Sequence, residues 1–168
     1  MPPRLVLVGP MGAGKTTVGR LLAEEWGVGF RDTDLDVEEG EGRSVSDIFV
    51  DSGEQRFREL EQAAVLDALT THDGVLALGG GAVTGSAVRE ALTGHRVVFL
   101  RVGLADAASR VGLGVSRPLL LGNVRGRMKQ LIDERTPVYE SVATHVVDTD
   151  GRSVEDVVAA VQGATEDG

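Results

Sequence analysis

Gly9-Pro10-Met11-Gly12-Ala13-Gly14-Lys15-Thr16 follows directly on the apolar run Leu5-Val6-Leu7-Val8 and opens directly into a helical pattern. A strand apolar on both faces, a glycine turn and a helix in immediate succession begin an α/β chain with a parallel sheet. The turn itself fits G-x-x-x-x-G-K-[ST], a loop built to hold phosphate. Its glycines let the backbone turn tightly with N–H groups facing inward, and the helix adds unpaired amides and the positive end of its dipole. Lys15 can reach the β- and γ-phosphates and the Thr16 hydroxyl can hold Mg²⁺, while Gly12, Ala13, Gly14 and Thr17 complete the cradle. Lys15 and Lys129 are the only lysines, so a chance match to the pattern stands at roughly half a percent.

Strand-like and helix-like stretches alternate to the end of the chain. Strands are expected at 4–8, 28–31, 75–78, 96–101 and 145–147. Helical patterns occupy 17–25, stopped by Gly27, then 105–111 and 124–135, the last ended by Thr136-Pro137. Ser44-x-x-Asp47 and Ser52-x-x-Gln55 each read as a capping box, the second opening a helix to about residue 69 with Phe57, Leu60, Ala64 and Ala68 at core spacing. Ser153 with Asp156 caps a final helix, and 112–123 is a glycine-punctuated loop. The 168 residues read as one domain.

Ligands of open parallel sheets gather at the carboxyl ends of the strands. Four features lie there: the phosphate loop, Asp32/Asp34, Gly79-Gly80-Gly81, and Asp148-Thr149. The acid pair suits a group that holds Mg²⁺ and orients a hydroxyl, although a turn into an acidic helix start explains it too. Three successive glycines allow close backbone approach and offer N–H groups to an anion. Arg117, in the glycine-rich loop, could bring a guanidinium to a transferring phosphoryl group. Arg58 and Arg135 have complete structural explanations, helix-spaced pairing and a helix end. His72, His95 and His145 show no metal spacing.

A net charge of −9 argues against broad binding to nucleic acid. No apolar run approaches the ~18 residues of a membrane span. With no cysteine and a strand immediately after Met1-Pro2-Pro3-Arg4, the expected setting is the cytoplasm, and a monomer is the default.

The segments Gly9–Thr17, Asp32-Thr33-Asp34, Gly53-Glu54-x-x-Phe57-Arg58-x-x-Glu61, Gly79-Gly80-Gly81, Arg117-Pro118-Leu119-Leu120 and Arg135-x-Pro137-x-Tyr139 together resemble the shikimate kinase family in order and spacing. The resemblance implies a three-layer P-loop kinase fold of the nucleoside-monophosphate-kinase kind, a five-stranded parallel sheet with a substrate-binding segment (about 34–62) and a mobile lid (about 112–123). It implies phosphorylation of the shikimate 3-hydroxyl by MgATP. Asp34 would hold the acceptor hydroxyls and take a proton. Arg58, Arg135 and the Gly79–Gly81 backbone around Gly80 would bind the carboxylate. Asp32 would organise Mg²⁺ with Thr16 as direct ligand, Lys15 and Arg117 would stabilise the phosphoryl group, and Arg110 and Arg152 would lie near adenine.

Three rivals differ at named positions. A gluconate kinase should lack the contexts of Arg58 and Arg135. A GTP switch needs Asn-Lys-x-Asp, which the chain does not contain. A noncatalytic sensor should have lost Lys15, Asp34 or Arg117.

Overall fold

The computed structural model describes residues 3–110 and 124–165. Arg117 and the whole 112–123 loop, together with the side chain of Arg110, lie outside the described residues.

Five parallel strands form one sheet in the order β2-β3-β1-β4-β5: β1 (Leu5–Val8), β2 (Phe30–Asp32), β3 (Val75–Ala77), β4 (Val97–Arg101) and β5 (His145–Asp148). β1 is central, pairing Leu5 with Val75 on one side and Val6 with Val97 on the other. Its four residues are buried on both faces, as the unbroken apolar run requires. The period of two divides them: Leu5 and Leu7 enter one core, Val6 and Val8 the other.

The first core is closed by α1 (Lys15–Trp26), α5 (Leu104–Arg110) and α7 (Val154–Thr165), through Val18, Leu22, Ala107 and Val161. The second is closed by α3 (Val45–Thr71) and α4 (Ser86–Ala91), through Val65, Ala68 and Val88. α6 (Val124–Val142) serves both, giving Met128 to the first core and Tyr139 to the second. A smaller cluster of Val37, Ile48 and Phe57 joins α2 (Thr33–Glu41) to the front of α3. Among the described residues no helix is long and apolar enough to cross a membrane.

Several sequence expectations are corrected in detail. The 124–135 helix does not stop at Thr136-Pro137 but runs to Val142. Pro137 lacks the N–H that would bond to the carbonyl of Asp133, yet both residues are exposed there, and the buried Tyr139 beyond rewards continuing the turn. Ser44 caps α3 as expected, its Oγ accepting from the Asp47 N–H at 3.1 Å. A second helical stretch does begin after the break at Gly53 (φ 87°, ψ 163°), as the Ser52 box predicts, but Ser52 Oγ accepts from Arg43 Nη2 at 3.3 Å rather than from the Gln55 N–H. Asp32 caps α2, its Oδ1 accepting from the N–H groups of Asp34 and Leu35 at 2.9 and 3.4 Å. The acid pair is therefore a helix start as well as a site feature.

Candidate functional site

The carboxyl ends of β1, β2 and β3 open into a cleft of about 710 Å³. Gly12, Ala13, Gly14, Thr16 and Thr17 line its floor, where α1 begins at Lys15 with the first-turn N–H groups facing the loop. Lys15 Nζ donates to the carbonyls of Gly9 and Pro10 at 2.7 and 3.1 Å. Desolvation lowers its pKa to about 8, against the opposing pull of Asp34 and Asp32. Even so the ammonium persists near neutrality, with a negative wall on one side and the phosphate loop on the other.

Asp32 and Asp34 divide two tasks. Asp32 Oδ2 accepts from the Thr16 hydroxyl at 3.0 Å, joining the acid of β2 to the first turn of α1. Asp34 turns inward against Gly79, and its Oδ1 is buried with no hydrogen-bond partner among the described residues. Burial raises its pKa to about 6, helped by the charges of Glu61 and Asp32 and opposed by Lys15. A buried carboxylate oxygen left unpaired is costly, and its natural complement is a donor from a ligand.

The triple glycine forms the opposite wall. The Gly79 N–H donates to the buried Thr33 hydroxyl at 3.1 Å, which locks β3 to the start of α2. A Cβ at Gly79 would collide with Asp34, and one at Gly81 would lie 2.5 Å from Arg58 Nη1. Glycine is demanded here by close approach rather than by backbone angle. Among the described residues the N–H groups of Gly80 and Gly81 have no partner. Beside them stand two guanidinium groups: Arg58 against Gly81, and Arg135 with its Nη1 3.8 Å from where a Gly80 Cβ would be. Two cations and two free amides around one point make a carboxylate-binding corner.

Arg152 and Thr149 also line the cleft. Asp148 does not join them: it is exposed and paired with Arg101, Oδ1 to Nε at 2.5 Å. The expectation of Asp148 in the cleft is corrected on that ground, since alternate residues of β5 face opposite ways. His72 bonds to the Val75 carbonyl at 3.0 Å, a turn role. Among the described residues no group of three or more His, Cys, Asp or Glu is arranged to hold a metal.

Residues 11–165 match the family model described as shikimate kinase. The chain belongs to the shikimate kinase family. It is 56% identical to "Shikimate kinase" of Salinispora arenicola, over 96% of each chain. A solved shikimate kinase of Acinetobacter baumannii, in complex with shikimate, superposes with a TM-score of 0.91 at 35% identity, covering 99% of this chain and 94% of that one. A gluconokinase from Sinorhizobium meliloti 1021 has a TM-score of 0.63 at 21% identity, covering 99% and 93%, which shows the fold alone. The P-loop kinase fold and the membership of a kinase family that uses ATP both stand as expected.

Sequence reasoning missed Glu61 as a site residue. It is 3% exposed, and its Oε1 accepts from Arg58 Nη1 at 2.8 Å. Its spacing carried the signal: residues 57, 61, 64 and 68 lie on one helical stripe, so Glu61 is an acid on an apolar face rather than a surface partner. Desolvation raises its pKa, with Arg58 opposing. Arg58 also lies 5.3 Å from the ring centre of Phe57 and 5.9 Å from that of Phe49. Acid and aromatics together hold the guanidinium toward Gly81.

Proposed function

We propose that the protein transfers the γ-phosphoryl group of ATP to the 3-hydroxyl of shikimate, giving shikimate 3-phosphate and ADP on the route to chorismate and the aromatic amino acids. One observation carries the reading. The unpaired, buried carboxylate oxygen of Asp34 lies between the phosphate-loop lysine and a corner of two arginines and two free amides. That is the complement of a small carboxylate-bearing polyol presented to a nucleotide.

In the proposed step the 3-hydroxyl oxygen attacks the γ-phosphorus as its proton passes to Asp34, and the bond to the β-phosphate oxygen breaks with its electron pair leaving on ADP. Lys15 offsets charge on the transferred group, joined by Arg117 from the 112–123 lid, which keeps water from the phosphoryl group. Arg58, Arg135 and the Gly80 region fix the acceptor carboxylate, and residues 34–62 form the acceptor segment. Arg110 and Arg152 lie near adenine in this reading. Mg²⁺ suits the Thr16 hydroxyl and Asp32 carboxylate, 3.0 Å apart, since this ion takes few protein oxygens and completes its shell with phosphates and water. When bound, it neutralises phosphate charge. The acidic, cysteine-free composition favours a cytoplasmic enzyme, taken here as a monomer acting on two small anions without nucleic-acid or membrane partners.

An ADP-release assay with MgATP against shikimate, quinate, gluconate and nucleoside monophosphates tests the reading. Turnover of shikimate well above the others is expected. Turnover of gluconate or a nucleotide with none of shikimate would overturn it.

A further inference from the structure

Among the described residues Tyr139 is the bulkiest fully buried side chain, 1% exposed, and it carries a polar atom into the core. Its ring packs on Phe99 of β4 with centroids 5.0 Å apart. Packing alone would be served by phenylalanine, because a buried hydroxyl costs free energy unless it is bonded. Here the hydroxyl donates to the carbonyl of Gly80 at 2.6 Å. That carbonyl shares a peptide plane with the Gly81 N–H, and no peptide bond among the described residues is cis. The two groups therefore point in opposite directions, and fixing one fixes the other.

Arg135 precedes Tyr139 by one helical turn on α6. Its guanidinium interacts with the phenol and stands against Gly80, while Arg58 stands against Gly81. This arrangement exists only because α6 continues through Pro137. We infer that Tyr139 is a positioning residue for the acceptor carboxylate: its hydroxyl pins the Gly80–Gly81 peptide, aims the Gly81 N–H, and sets Arg135 against the same peptide. The inference rests on the proposed reading, in which that corner takes the carboxylate of shikimate. Burial pushes the phenol up to about 12, so it remains a donor across the working pH range.

Tyr139→Phe keeps the ring on Phe99 and deletes only the bond. The expected result is a KM for shikimate raised roughly fivefold or more, with kcat and KM for ATP changed by less than about twofold. A shikimate analogue with hydrogen in place of the carboxyl should bind the wild type weakly and the variant no worse, as measured by calorimetry. ADP affinity, read in the same instrument, should be unchanged and reports that the variant is folded. An unchanged KM for shikimate overturns the inference, and so does a parallel loss for both substrates or an equal loss for the analogue. A wild type that turns over no shikimate defeats the proposed function itself, before the variant is compared.

Discussion

Burial, and then the charges of Glu61 and Asp32, raises the Asp34 carboxyl from 3.8 to about 6. The folded protein thus holds this proton more tightly than the unfolded chain. Between about pH 4 and about pH 6 its contribution makes stability fall as pH rises, and above that window the ionised group costs the empty protein on the order of 3 kcal/mol. Asp34→Asn is expected to raise Tm at about pH 7.5 and to lower kcat by ~10²-fold or more, with the stability gain vanishing near about pH 4. Denaturant melts at the two pH values check the first half, and a variant less stable at the higher pH would refute it. Glu61→Gln acts on the same carboxylate from a distance. Removing the Glu61 charge lowers the Asp34 pKa, so the acid limb of kcat/KM, expected near pH 6 in the wild type, should move to lower pH. KM for shikimate should rise as well, because Arg58 loses its charge-assisted bond. An acid limb that stays in place would remove Glu61 from the electrostatics of the site.

At the scale of elements, the break at Gly53 decides how the front of α3 meets the cleft. Its φ of 87° with ψ of 163° lies in a region open essentially to glycine alone. The residues before it carry Val45 and Phe49 into the cleft lining, and those after it carry Phe57, Arg58 and Glu61. Gly53→Ala should cost about 1–3 kcal/mol and raise KM for shikimate while leaving KM for ATP near its wild-type value. Chemical denaturation and two-substrate kinetics measure the two effects, and a straightened helix with unchanged shikimate KM would mean the angle is immaterial. This break also marks where the sequence was legible and where it was not. Strand β1 and the phosphate loop could be read directly because one unbroken run and one dense motif encode them locally. The stop at Gly27 and the caps at Ser44 and Ser153 were legible for the same reason. Ser52-x-x-Gln55 has the form of a cap, but a glycine conformation one residue later does the work instead. Pro137 reads as a terminus, and only the tertiary burial of Tyr139 carries α6 past it. Asp34 drew notice by its place at a strand end, whereas Arg58 and Arg135 came forward only through the resemblance to the shikimate kinase family, and the contacts of Glu61 and Thr33 depend on burial and packing that no local pattern records.

For the molecule as a whole, the strand order gathers cations into one cleft of a protein whose net charge is −9. Lys15, Arg58, Arg135 and Arg152 line that cleft together with Asp32, Asp34 and Glu61, and the cations stand where the anions of a ligand would lie, at the phosphate loop and beside Gly80 and Gly81. Raising NaCl from about 0.02 to about 0.2 M shortens the Debye length from roughly 20 to roughly 7 Å. Self-repulsion among the surplus carboxylates acts over the larger distance and is screened first, so Tm of the empty protein should rise. The attraction of the cleft for an anionic acceptor is screened as well, so KM for shikimate should also rise, by about two- to threefold, although the protein has become more stable. An uncharged cosolute that raises Tm equally should leave that KM unchanged, which separates screening from stabilisation. Were salt to lower KM instead, the −9 field would dominate the approach of substrate, and the positive corner at Arg58 and Arg135 would be too weak to direct it.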